Sequence, residues 1–560
     1  MTMLKAMSIK KPSLVFDWLT EGWRPYFCIA LLGLAVYFRA IFFGFAYFDD
    51  DHLILQNFGN ISSWHNIFTA FKTDMNWQSP GVYYRPLVTL TFMADALWTG
   101  KDPMGYHLTN IIFHLLASGL FFKFLLLLGY PRKASLFFVL LFACHPVLTH
   151  AVAFIPGRYE TVLAIMVLGS VIAFLKYLEK PSWLWLHGLF FAGALFTKET
   201  AVIVPLVCSL VFMLSPVRKG QYKSLWPAAA LWAAVLAGFM ALRWQVAKDV
   251  SPQFNTPYEN IIGLFSYLGK IAFPVNLSVM PIPADTRPYW GLAVLAILFI
   301  LALWGGIRRK RYFLLGAAWF LIFLLPTALR TLNFAYLLEQ RLYLPLMGFM
   351  MMFMELRLIP KAAAQKWSWI PGAATLMLFS FITLGHSAVY RNDISFWGNA
   401  IEHSPHSYFA HTVLGQRYYA QGHPDLAERE FQKSLVLRPG DPLIENDLGL
   451  VLMEQGKWAG AGKAFVSAVG NLPDDPGLRK NLGLVYTKLG DWPGAETQYR
   501  AALALSSNDP EIWDRLALVC YLQDKYVEAA GFYGLAVKAG IKPDPRIMKM
   551  LAPYINKEAR

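Results

Sequence analysis

Three consecutive carboxylates, Asp49, Asp50 and Asp51, stand directly behind a long apolar run in FAYFDDDHLILQN (45–57). Adjacent carboxylates raise one another's pKa, so such a group can serve as a general base or offer ligands to a cation. It also has a plainer use. A carboxylate at the bilayer centre costs about 2.5–3.5 kcal/mol on insertion scales, so acids at the end of a span stop it from sliding inward. Other polar groups stand out against apolar sequence in the same way. YYRPL (83–87) carries Arg85, and GYHLTNIIFHLL (105–116) carries His107, Asn110 and His114 along one helical stripe. HPVLTHAVAFIPGRYET (145–161) holds His145, His150, Arg158 and Glu160. FTKET (196–200) sets Lys198 beside Glu199, and LEQRLYLP (338–345) contributes Glu339 and Arg341.

The elements that must position these groups follow from composition. Of 560 residues, 56% are hydrophobic and 15% charged, where a soluble protein carries about 25% charge. The apolar residues gather in runs near 25–45, 106–129, 134–152, 160–178, 182–197, 200–214, 226–244, 290–307, 312–328, 342–359 and 368–389. About 20 such residues cross the hydrocarbon core, so the reading is a polytopic helical membrane domain of about eleven spans. The net charge of +14 does not point to nucleic acid. Basic residues crowd alternate short loops, at Lys10/Lys11, Arg132/Lys133, Lys176/Lys180, Arg218/Lys219/Lys223, Arg308–Arg311 and Arg357/Lys361. That asymmetry places the N-terminus in the cytoplasm, and an odd span count puts the C-terminal part outside. All five polar segments then fall on the outer face. A large outer loop (46–105) follows the first span, with WHNIFTAF (64–71) suggesting helices along the membrane surface. Acids, histidines and cations delivered to one face suit an anionic ligand plus a proton acceptor, and a phosphate-linked lipid meets both needs.

Beyond about residue 390 the apolar runs stop and a period of 34 begins. Pro442, Pro476 and Pro510 keep this step, as do Gly415, Gly449, Gly483 and Ala517. Ala427, Ala461, Ala495 and Ala529 form a third column, and Phe431, Phe465, Tyr499 and Tyr533 a fourth. Small residues let one helix pack closely on its partner, the aromatic fills the gap, and Pro opens the next unit. This is the tetratricopeptide repeat, expected to stack as an α-solenoid that presents a surface to a protein or peptide. The expected division is a membrane domain at 1–390, a connecting helix at 391–406 containing Trp397, and an array of about four repeats plus a cap at 407–560.

The order of aromatic-Asp-Asp after the first span, YRPL, Gly-x-His-x-x-Asn…His, HPV…GR, KE and E-x-R-x-Y-L-P resembles the TMTC-type membrane glycosyltransferases of the GT-C class, which carry C-terminal tetratricopeptide repeats and have bacterial relatives. The resemblance covers essentially the whole chain. It implies an enzyme that moves a sugar, mannose or similar, from a polyprenyl- or dolichyl-phosphate donor to Ser/Thr hydroxyls of an exported protein, with inversion. It implies an acidic catalytic residue in the first outer loop, with Asp49 and Asp50 matching the acidic pair and Asp51 an extra member. The general base is placed at Asp50, with Asp49 as the alternative. For the donor phosphate the candidates are Arg341 first, then Arg85, Arg158 and Lys198, because guanidinium forks match phosphate oxygens. His107, Asn110, His114, His145, His150, Glu160, Glu199 and Glu339 are expected to hold sugar or acceptor. Histidines near the carboxylates can also help bind a divalent cation, although their spacing matches no established ligand set. Two positions depart from the pattern: His150 stands where Glu is common, and Gln340 where His is common.

Rival readings are a membrane-anchored repeat scaffold without catalysis, a transporter of lipid-linked sugars, and an enzyme of the same class acting on a glycan or glycolipid. A transporter keeps polar groups near the midplane and often shows internal pseudo-symmetry, unlike the one-faced pattern here. The compact loops suggest a bacterial inner membrane with periplasmic repeats, or the endoplasmic reticulum lumen in a eukaryotic host.

Overall fold

A computed structural model describes residues 18–79, 81–214, 225–247, 257–328, 337–357, 369–506 and 508–555. Among them every regular element is helical. The basic positions Lys10, Lys11, Arg218, Lys219, Lys223 and Lys361 lie outside the described residues. The chain forms two compact units, Met1–Ser404 and Pro405–Arg560.

In the first unit, Arg24–Phe42, Pro103–Leu127, Ile155–Tyr177, Leu225–Val246 and Ile370–Arg391 are each long and apolar enough to cross a bilayer. Helices Arg132–Ala143 and Pro146–Ala153, bent by 52°, make a sixth if they count as one span. The eleven expected crossings exceed this number. Ile155–Tyr177 is the central helix, 78% of its apolar window being buried, whereas Ile370–Arg391 lies at the periphery with 11%.

Small residues allow close helix approach. Gly316 and Gly348 face each other where Lys310–Ala328 meets Tyr343–Met354, and a Cβ on either would come within 2.7 Å of the other's carbonyl oxygen. Dispersion packing of this kind is the main attraction between helices in lipid. Trp319 locks the pair by donating its indole N–H to the Leu344 carbonyl at 2.9 Å.

Helix ends carry most of the polar segments, whereas Asn110 and His114 lie within Pro103–Leu127. Asp102 caps Pro103–Leu127 by accepting the Met104 amide. Asn392 and Ser395 form a reciprocal capping box at the start of Asp393–His403. That helix belongs to the first unit: Trp397 is buried against Phe48, ring centroids 5.3 Å apart, and Asn399 accepts the Val279 amide.

The second unit is four helix pairs, Tyr408–Ala420/Pro424–Leu437, Pro442–Glu454/Trp458–Asn471, Pro476–Leu489/Trp492–Leu505 and Pro510–Leu522/Tyr526–Lys538, followed by Pro545–Ile555. Asp441, Asp475 and Asp509 precede the periodic prolines and each caps the helix that proline opens. The glycine column does steric work: a Cβ at Gly415, Gly449 or Gly483 would lie 2.6–2.8 Å from the ring of Phe431, Phe465 or Tyr499. Gly449→Val should therefore destabilise the array by about 1–3 kcal/mol. A differential scan of the full chain would show this as a lowered midpoint for the repeat transition, and an unchanged midpoint would disprove the close packing.

Candidate active site

The chain turns sharply where the first span ends. Asp50 is 1% exposed, and its carboxylate accepts the amide N–H groups of Ala46 at 2.6 Å and Phe48 at 2.8 Å. It thereby closes a turn that holds Tyr47 in the left-handed region, at φ 51. Asp51 accepts the Gln56 side-chain amide at 2.9 Å. Asp49 is half-buried and has no hydrogen-bond partner among the described residues. Burial, then the charge of Asp50, pushes the Asp49 carboxyl up to about 6, against the pull of His52 and Arg85. The Asp50 carboxyl is also raised by burial, with the Phe48 and Ala46 amides holding it down. Of the three acids, Asp49 is the one whose oxygens remain uncommitted.

Tyr159 is the hub around which the expected segments meet. Arg85 lies over its ring at 5.1 Å, and the Lys198 ammonium lies over it at the same distance. Gln340 donates its side-chain amide to the Tyr159 hydroxyl. Asp49, Arg85, Glu160 and Arg341 are all within electrostatic reach of that hydroxyl. Two of the cations here are paired: Arg85 with Glu199 at 3.2 Å, and Lys198 with Glu160. Arg85 nevertheless keeps its buried Nε without a partner.

Other expected residues are already committed to the fold. Arg158 is fully buried and donates to Asp95 at 2.5 Å, to the Asn110 side-chain oxygen at 2.8 Å and to the Tyr106 carbonyl at 2.9 Å. Asn110 in turn donates to the carbonyls of Phe154 and Ile155. The expectation that Arg158 offers its fork to a phosphate meets a guanidinium used on every edge. His114 donates Nε2–H to the Ala143 carbonyl and accepts the Tyr343 hydroxyl at Nδ1. His145 donates to the Ile271 carbonyl and accepts the Val147 amide. Both rings have their two nitrogens occupied, so they anchor helix ends instead of facing a sugar. His107 pairs through Nε2 with the Gly44 carbonyl at 3.3 Å, tying the second span to the turn before Asp49.

A second group of polar atoms is buried and unpartnered among the described residues: Nδ1 of His150, the Tyr390 hydroxyl, Nε2 of His386, Oε2 of Glu339 and Oε1 of Gln340. His150 and Tyr390 have ring centroids 5.6 Å apart, and His386 and Tyr390 5.9 Å. Glu339 is held by Lys270 at 2.6 Å and by the Ser278 amide at 3.1 Å through its other oxygen. Burial pushes its carboxyl up, against the pull of Lys270. Buried atoms with open valences cost free energy unless something fills them.

Asp95, Tyr159, Lys270, His386 and Tyr390 are the site residues that sequence reasoning did not single out. Asp95 is the lone charge of a mostly apolar helix, which was the available signal, whereas Lys270 shares its helix with Glu259. Among the described residues, the one gathering of three ligand atoms with metal-like spacing is Glu496, Cys520 and Glu528, in the repeats. There Lys525 and Arg500 already take the two carboxylates. The Asp49–Asp51 triplet gathers no such set.

The first unit carries several helices long and apolar enough to cross a bilayer, and the second is a helical repeat array that the family models match. A family model described as tetratricopeptide repeat matches residues 412–476, and one described as TPR repeat matches 483–524. The chain is 32% identical over 194 residues to protein O-mannosyl-transferase Tmtc1 of Drosophila melanogaster, covering 33% of this chain and 22% of that protein. It is 35% identical over 188 residues to protein O-mannosyl-transferase TMTC3 of Homo sapiens, covering 31% and 20%. With protein O-mannosyl-transferase F38B6.6 of Caenorhabditis elegans it shares 24% over 384 residues, covering 64% and 54%. Over these stretches the chain is similar to TMTC-type protein O-mannosyl-transferases, and its C-terminal part matches tetratricopeptide repeats; it spans about a fifth to a half of the length of these relatives.

Proposed function

We propose that this chain is an integral-membrane glycosyltransferase that moves a sugar, mannose or similar, from a polyprenyl-phosphate donor to Ser/Thr hydroxyls of an exported protein. The observation that carries the reading is the meeting of Asp49, Arg85, Lys198 and Arg341 about Tyr159, in a chain similar to protein O-mannosyl-transferases. Asp49 takes the proton of the acceptor hydroxyl, whose oxygen attacks the anomeric carbon as the bond to the lipid phosphate breaks on the opposite face. Inversion follows. The leaving phosphate needs cations in place of an acid, since it departs already ionised. Arg341 and the open edge of Arg85 serve it, with Lys198 behind them. Asp50 shapes the turn that holds Asp49. The open polar atoms of His150, Tyr390, His386, Glu339 and Gln340 offer complementary donors and acceptors to sugar hydroxyls. The repeats bind the acceptor protein, on the outer side of a bacterial inner membrane.

Intact-mass comparison of exported proteins from cells carrying wild type or Asp49→Asn, at matched membrane levels, tests this. Hexose-sized adducts present with wild type and absent with the variant are expected. Adducts unchanged in the variant would remove Asp49 as base. Absence of adducts in both strains, with a phenotype on deletion of the gene, would favour a scaffold or a glycolipid acceptor.

A further inference from the structure

Three of the four cations that were candidates for phosphate have carboxylate partners: Arg85 faces Glu199, Lys198 faces Glu160 and Arg158 faces Asp95. Two exposed arginines differ. Arg39 lies at the end of the span Arg24–Phe42, and Arg391 at the end of the span Ile370–Arg391. Neither guanidinium has an ion-pair or hydrogen-bond partner among the described residues. They line one open cleft of about 230 Å³ together with Phe42 and Phe43. The two span ends are tied by the Gly44 amide, which donates to the Arg391 carbonyl at 2.8 Å, so both arginines stand at the same bilayer face.

The surroundings specify what kind of anion fits. Phe38 and Phe42 are 54% and 68% exposed on the span itself, facing where lipid would be. A ligand that satisfies both features has a phosphate head and a hydrocarbon tail. Arginine forks bind phosphate oxygens in pairs, and exposed aromatic rings accept the chain beside it. The position separates a donor lipid from ordinary bilayer phospholipid. Phe43 lines the cleft and also packs edge-on to His107, at 6.1 Å, while the next residue, Gly44, accepts from that histidine. The cleft wall is thus the start of the turn that ends at Asp49.

We propose that Arg39 and Arg391 form a docking cleft for the phosphate of an isoprenoid lipid, the point at which the donor leaves the bilayer before its sugar reaches Asp49. This rests on the transferase reading for its purpose, but not for its chemistry.

The test is native mass spectrometry of the full-length protein in detergent, titrated separately with polyprenyl phosphate, polyprenol, phosphatidylglycerol and inorganic phosphate. Wild type should retain polyprenyl phosphate and not polyprenol. Arg39→Gln/Arg391→Gln should weaken that retention at least tenfold, whereas Arg39→Lys/Arg391→Lys should keep most of it. In a transfer assay the Gln pair should raise KM for the lipid donor with kcat little changed. Unaltered retention by the Gln pair overturns the proposal. So does equal retention of phosphatidylglycerol, which would make this a general anionic-lipid site, or of inorganic phosphate, which would remove the lipid from it. The wild-type contrast between polyprenyl phosphate and polyprenol does not depend on any variant folding. Arginine-dependent retention in a protein that transfers no sugar would sustain the cleft while removing the transferase reading.

Discussion

Asp49→Asn should lower the transfer rate about 10²–10⁴-fold, the range supplied by a positioned general base, while leaving donor binding nearly unchanged. The wild-type rate should climb with pH through about 6 and level off above it, because burial and the Asp50 charge push the Asp49 carboxyl up to that value. The sign follows from the role: a base works only when deprotonated, so activity is lost as pH falls through its pKa. Asp50→Asn provides the control. It removes the neighbouring negative charge, so the midpoint of whatever activity remains should move to lower pH. It also puts a side-chain N–H where the turn amides of Ala46 and Phe48 now find an acceptor, so the rate should fall as well. A rate–pH curve of purified protein in detergent reads both effects. If Asp49→Asn keeps its rate and Asp50→Asn abolishes it with no shift in midpoint, the roles of the two acids are the reverse of those proposed.

Arg158→Ala is the second large expectation, and its effect is on folding. The side chain is fully buried and its ion pair with Asp95 is 2.5 Å long. Removing one partner of a buried pair costs about 3–5 kcal/mol, since the other charge stays behind uncompensated. Little folded Arg158→Ala should therefore survive membrane extraction, and its thermal aggregation midpoint should drop well below wild type. Asp95→Leu/Arg158→Met should recover part of the loss, because neither charge is then stranded. Arg158→Lys should be weak too, as one ammonium cannot reach Asp95, the Asn110 oxygen and the Tyr106 carbonyl together. A stable Arg158→Ala that binds donor poorly would return this residue to the phosphate set.

The contrast between Arg85 and Arg158 shows what one dimension conceals. Both appear in short polar motifs amid apolar sequence, and both look suited to phosphate. Only their partners differ: Asp95, 63 residues away, saturates Arg158, whereas Glu199 leaves one edge of Arg85 open. The same holds for the histidines. Spacing put His107, Asn110 and His114 on one stripe, but the stripe faces helix ends whose carbonyls claim it. Choosing between Asp49 and Asp50 needs the path of the Ala46–Phe48 backbone, which no residue type announces. The repeats were legible because each unit solves the same packing problem with the same residues, so Gly449 on Phe465 repeats as Gly483 on Tyr499. Tyr390 and His386 left no such trace, since an aromatic in an apolar run looks like any other.

The helix Asp393–His403 also bears on how such chains can be recombined. Its Trp397 braces Phe48, the residue next to Asp49, yet it ends one residue before the first unit closes at Ser404. A gene fusion that exchanged repeat arrays at the end of the last span, near residue 390, would discard a wall of the turn that carries Asp49. A seam between Ser404 and Pro405 would leave that wall intact, so the modular unit of inheritance is the membrane domain together with this helix. Shuffled acceptor specificities should trace to crossovers after Ser404 and not before Asp393.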